Sequence, residues 1–163
     1  MANKDQTVGF SPYGRPLRQQ EYIASETIYP GDLVKLEAAG RVARCAASDA
    51  SCGVAASYAS GAGVKLNVLD DPDQLFECQA DDATIDAQTD INLNYDIVVG
   101  SPNTAYKRSG MQVDASTQAT TATLPIKVLS ISKRIDNELG SKVDVVCQIN
   151  NHQLSAGTGT AGV

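Results

Sequence analysis

The chain has 163 residues, enough for one domain with an arm or a small appendage. Its net charge of −6 argues against a nucleic-acid binder, and no run of about 18 apolar residues is present to span a membrane. Aromatics are only 5% of the residues and Trp is absent, so the core has to come from Val, Ile, Leu and many Ala, whose small buried areas favour gaining stability by association.

Residues 1–20 read as an extended N-terminal arm. Gly9, Pro12, Gly14 and Pro16 punctuate them, no period persists, and Lys4, Arg15 and Arg18 against Asp5 give a net +2 in an acidic chain. The extreme N-terminus has no apolar run behind its charge and does not read as a secretory signal. The alternatives for the arm are a disordered tail and a segment that orders on a partner. On the second, Phe10 and Tyr13 are the anchors, while Arg15 and Arg18 pair with acids of that partner or of a neighbouring copy.

From residue 21 the period becomes two. Tyr22 to Tyr29 predicts a strand ended by Pro30-Gly31, and Asp32 to Glu37 predicts the next. Ala39-Gly40 turns tightly into Arg41 to Cys45. Residues 46–63 are rich in Ala, Ser and Gly and open to several readings. Val64, Leu66 and Val68 mark a strand that runs into an acidic turn at Asp70, Asp71 and Asp73, where Pro72 fixes φ. Beyond it Phe76 and Cys78 take one face, and Leu75, Glu77 and Gln79 the other.

Ile91 to Val99 alternates most cleanly of all, up to the Gly100–Asn103 turn. Ile126 to Lys133 is another strand, and Val143, Val145, Cys147 and Ile149 line one face of the last. Residues 155–163 read as a flexible C-terminal tail. The sum is an all-β chain: a small antiparallel barrel or sandwich over 21–154, with an arm before it and a tail behind.

Chemistry-bearing groups are sparse. His152 is the single histidine, and no nucleophile sits near it in an elbow or glycine-framed turn. The four cysteines lack a CxxC pair and are expected as buried free thiols, with a Cys45–Cys52 bridge as the alternative. No cofactor motif follows a strand. Between Lys65 and Lys107 there is no Lys or Arg while acids accumulate. That run reads either as an electronegative mating face or as a solubilising surface, and the Asp70–Asp73 cluster lacks the spacing of a calcium loop. The expectation is no enzyme, no cofactor and no metal.

Two stretches carry a family resemblance. Asp71-Pro72-Asp73-Gln74-Leu75-Phe76-Glu77-Cys78-Gln79 is one; Asp136-Asn137-Glu138 followed by Val145-Val146-Cys147-Gln148-Ile149-Asn150-Asn151-His152 is the other. Both resemble segments of the decoration (cement) proteins of tailed-phage heads. The resemblance implies a structural virion protein, made in the host cytoplasm, that binds the outer surface of an assembled icosahedral head. It further implies a homotrimer where several copies of the major capsid protein meet, bridging neighbouring capsomers, with no direct nucleic-acid or membrane contact. The interface residues expected are Phe10, Tyr13, Arg15, Arg18, Asp71 and Asp73. The alternative is a carbohydrate- or receptor-binding module displayed on a virion or cell surface, which would use exposed aromatics such as Tyr58, Tyr95 and Tyr106.

Overall fold

The structure, a computed structural model, describes residues 2–163 and is all-β. A two-residue β1 (Ser11–Pro12) precedes five strands that close on themselves: β2 (Gln19–Ala24), β3 (Leu33–Glu37), β4 (Arg41–Arg44), β5 (Gly53–Ala55) and β6 (Lys65–Leu69). They close in the order β2-β4-β3-β5-β6. All these pairings are antiparallel except β2 with β4, where Ile23 lies opposite Arg41 and Ala24 opposite Val42. Ala39 and Gly40 take left-handed φ of 63° and 69° between β3 and β4, which matches the right-handed strand twist.

The remaining strands are β7 (Leu75–Gln79), β8 (Thr84–Ile85), β9 (Asn94–Asn103), β10 (Arg108–Ala119), β11 (Ile126–Ile131), β12 (Gly140–Ser141) and β13 (Asp144–Ile149). They form a sheet in the order β1-β7-β13-β11-β9-β10, with β8 and β12 paired beside it. That sheet curls until β10 returns to the end of β7, where Ala80 bridges Val113 in parallel. The small barrel or sandwich expected over 21–154 is thus two rings of strands in tandem.

The two rings share one plan. Taking the five main strands of each in chain order, first pairs with third, third with second, second with fourth, fourth with fifth, and fifth with first; the directions also agree. The register agrees as well. Ala24 opposite Val42 corresponds to Ala80 opposite Val113, and Leu36 opposite Val42 to Ile97 opposite Val113. Val34 opposite Gly53 matches Tyr95 opposite Ile126, Val54 opposite Leu69 matches Lys127 opposite Gln148, and Tyr22 opposite Leu66 matches Cys78 opposite Val145. Individual hydrogen bonds repeat: the Ala24 and Ala80 amides each donate to a valine carbonyl, Val64 and Val143, at 2.8 Å.

Each barrel encloses its own core, Ala24, Val34, Val42, Ala55, Leu66 and Val68 in the first, Cys78, Tyr95, Ile97, Val113, Val128, Val145 and Cys147 in the second. Leu33, Val54 and Leu69 point the other way from the first barrel and join the second core. The adjacent apolar pairs Leu33-Val34, Val54-Ala55 and Val68-Leu69 thus mark strands buried on both faces. All four cysteines are buried and free.

Residues 2–20 do not stand away from the body, which corrects the extended arm. Phe10 donates its amide to the Gly31 carbonyl at 2.9 Å, and its ring is 2% exposed within the core between the barrels. Ser11 and Pro12 pair with Glu77 and Phe76. Asn3 bonds to Glu138 and Ser141, and the Gln79 side chain clasps the main chain at Lys4 and Gln6. Gly9 is required where the segment crosses the seam, because a Cβ there would lie 2.5 Å from Ser109 Cβ. Residues 155–163, expected as a loose tail, lie along the second barrel. Asn150 receives the Thr160 amide, Lys127 binds Thr160 and Ala161, and the Val163 amide reaches the Asn92 carbonyl.

Candidate interaction surface

The acidic turn joins the two barrels, between β6 and β7. Asp70 is fully buried and is held from two sides. Arg18 Nε donates to Oδ1 at 2.8 Å, and the Tyr22 hydroxyl donates to Oδ2 at 2.7 Å. Burial and this bond raise the Tyr22 phenol well above its ordinary pKa, and Asp70 raises that of Arg18. Burial first, and Asp70 second, push the nearby Cys52 thiol up to about 12. Asp71 caps its own turn by accepting the Asp73 amide at 2.9 Å, which leaves Asp73 as the exposed carboxylate.

The N-terminal segment runs alongside this turn. The Tyr13 amide donates to the Leu75 carbonyl at 2.9 Å, and the Leu17 amide to the Gln74 side chain at 2.8 Å. Tyr13, Arg15, Leu17 and Arg18 are consequently exposed beside Asp71 and Asp73. Five of the six expected interface residues share this strip. Phe10 does not: it is the buried plug beneath it and is corrected as an anchor. Arg18 spends its guanidinium on Asp70, whereas Arg15 makes no ion pair among the described residues.

Two clefts flank the segment, of about 590 and 510 Å³. The larger carries an ion-pair cluster: Arg134 meets Asp144 and approaches Glu77 at 3.7 Å and Asp136 at 3.9 Å. Neighbouring Asn137 is a latch. It receives the Asp144 amide and donates to the Ser132 and Asp144 carbonyls, holding the 136–138 turn against β13.

The β9–β10 hairpin reaches the first barrel. Its tip carries exposed Tyr106, with Lys107 Nζ 4.8 Å from the ring centre of Tyr58. Tyr95, counted among possible surface aromatics, is fully buried. His152 is also buried. Its Nδ1 accepts the Leu154 amide, Nε2 has no protein partner, and burial lowers its pKa. Its main chain bridges Ser51 in parallel, tying the end of the second barrel to the first.

Sequence reasoning missed the carboxylates at the seam. Asp32 accepts the Ser109 hydroxyl at 2.6 Å and the Tyr29 amide at 2.9 Å, and Arg44 Nε lies 2.8 Å away. Asp96 accepts the hydroxyl and amide of Ser48 from the opposite barrel. Acids at strand starts are ordinary turn residues in a sequence, and nothing local says that their partners lie in another barrel. Among the described residues no helix is long and apolar enough to cross a membrane. No protein-family model matches the chain, and no curated protein matches it.

Proposed function

We propose that this chain is a structural protein of a tailed-phage virion that binds the outside of the assembled icosahedral head and stabilises it by bridging neighbouring capsomers. The reading rests on the resemblance of the Asp71–Gln79 and Asp136–His152 stretches to head decoration proteins. One structural observation supports it: Tyr13, Arg15 and Leu17 lie beside Asp71 and Asp73 on the surface at the junction of two packed barrels. A strip of this kind offers an aromatic and an aliphatic anchor with charges of both signs at its rim, the composition that gives affinity at the centre and register at the edge. The partner is the major capsid protein. Copies gather as homotrimers, and the protein has no catalytic role.

The test is cosedimentation of the purified protein with heads that lack it, read together with the temperature at which those heads fall apart. Saturable binding that raises that temperature is expected. Tyr13→Ala with Leu17→Ser should lower occupancy at least about tenfold while leaving the melting of the free protein nearly unchanged, since both side chains are already exposed. Failure of the unaltered protein to bind any such head would overturn the reading. The alternative as a carbohydrate or receptor module is left with Tyr58 and Tyr106, because Tyr95 is buried.

A further inference from the structure

The seam between the barrels leaves a cleft of about 510 Å³ on one side of the N-terminal segment. Clefts between packed units are common ligand sites, and volumes of about 300–1,000 Å³ hold small molecules. Strand register builds one wall. Gln19 and Val54 each lie opposite Leu69, so these three side chains share the face of the first barrel that is turned to the second. Phe10, Pro12, Pro16 and Pro30 complete the apolar lining.

Charge distinguishes this cleft from its neighbour. The larger one, across the segment, is lined by Asp5, Glu77 and Asp144, which repel an anion. No carboxylate lines the smaller cleft, and its one charged residue is Arg108. Arg108 is exposed and makes no ion pair among the described residues; its guanidinium carbon lies 5.9 Å from the centre of the Tyr106 ring. An extended peptide finds little main chain to pair with here. Pro12, Pro16 and Pro30 carry no N–H, and the Phe10, Gly31 and Ala56 amides already donate to the Gly31, Ala55 and Asn67 carbonyls.

We infer that this cleft binds a small organic acid, an aliphatic or aromatic body with a single anionic head. The body leaves water against Val54, Leu69 and the prolines. The head pairs with Arg108, whose planar fork takes a carboxylate through two N–H groups. The Gln19 side-chain amide has no partner among the described residues and supplies a second donor in the same lining. The site belongs to the free protein, so its test needs no phage head and is separate from head binding.

The experiment is a titration of the isotope-labelled protein with octanoate, followed by amide chemical shifts. Saturable shifts at Gly31, Ala55, Ala56 and Leu69 are expected. Octanol, with the same body and no charge, should bind about three- to fivefold more weakly, the worth of one exposed ion pair. Arg108→Met keeps the stem and deletes the charge, so it should erase that difference and leave octanol binding unchanged. Arg108→Gln makes the same test should the methionine variant misfold. Absence of a saturable shift overturns the inference, as do shifts that saturate elsewhere on the surface. Equal binding of octanol and octanoate to the unaltered protein overturns it, because the cation then contributes nothing. So does a preference for octanoate that survives in folded Arg108→Met, since the head must then sit on another group. A capped apolar peptide with one aspartate that displaces octanoate at lower concentration also overturns it, in favour of a partner segment.

Discussion

The two barrels repeat one ring of strands with different fillings. Where the first places Val34 the second places Tyr95; Gly53 corresponds to Ile126, and Ala55 to Val128. The first core is consequently built mainly from Ala and Val, with Ile28, Cys52 and Leu66 and no fully buried aromatic ring. The second holds Phe76, Tyr95, Ile126 and Met111, and also takes in the outward faces of β3, β5 and β6. The hairpins differ too. The β3–β4 hairpin stops where it meets β2, whereas β9 and β10 run on past the ring and carry Ser109 to the first barrel. The shared ring shows that strand order and register survive wide changes in side-chain volume. The unshared parts, hairpin length and outward apolar residues, are what fasten one barrel to the other.

The largest test of this difference compares two matched core positions. Tyr95→Ala should cost about 3–5 kcal/mol, because a large enclosed ring is lost and its hydroxyl bond to the Asp90 carbonyl goes with it. Val34→Ala, at the matching position, removes two methyl groups and should cost about 2 kcal/mol. Urea unfolding of both variants measures the gap. Equal losses would mean that the cores are equivalent in packing as well as in register. If the barrels unfold in separate transitions, the seam is weaker than its contacts imply.

A second comparison addresses that seam. Asp32→Ala strands a mostly buried Arg44 and removes the acceptor for Ser109 and Tyr29, for an expected loss of about 2–4 kcal/mol. Asp96→Ala removes the acceptor for Ser48, an exposed residue that water can satisfy, so about 1–2 kcal/mol is expected. The reversed order would show that Ser48, not Ser109, carries the tie between barrels.

Much of the ring was legible in the sequence. Val64 to Val68, Ile126 onward and Val143 to Ile149 alternate as strands do, and the turns at Pro30-Gly31 and Asp70 to Asp73 lie between strands as expected. The duplication was not legible, because matched positions share a side of the pleat and not an identity: Val34 and Tyr95 are both interior, but no substitution pattern links them. The N-terminal segment misled for a different reason. It is held by separate main-chain hooks at Lys4, Gln6, Phe10 and Tyr13, which impose no period. Phe10 and Tyr13 are two aromatics three residues apart in the same aperiodic stretch. What buries one and exposes the other is long-range: Gly9 passes close to Ser109, Phe10 bonds to Gly31, and Tyr13 bonds to Leu75 at the rim of the second barrel. Of the six expected interface residues, Tyr13, Arg15, Arg18, Asp71 and Asp73 lie along the strip and Phe10 lies buried beneath it, while Leu17 of the strip was not among those expected.

The smallest expected effect tests the seam by pH. His152 lies where the end of the second barrel bridges Ser51 of the first, and burial lowers its pKa below the ordinary 6.5 against opposing pulls from Asp70 and Asp71. The unfolded chain therefore binds a proton that the folded one refuses. The stability this represents is complete above about pH 6.5 and is lost as pH falls from there through the folded pKa. The slope from one such group cannot exceed about 1.4 kcal/mol per pH unit. Between pH 7 and 5, His152→Gln should flatten the decline in melting temperature, while its stability at pH 7.5 drops modestly through the lost acceptor for Leu154. Carboxylates held by lysines, Asp5 and Asp49, lose their share at lower pH in both proteins and cancel in the comparison. Parallel curves for the two proteins would place the imidazole in water, and the Ser51–His152 bridge would then be a frayed end, not part of the seam.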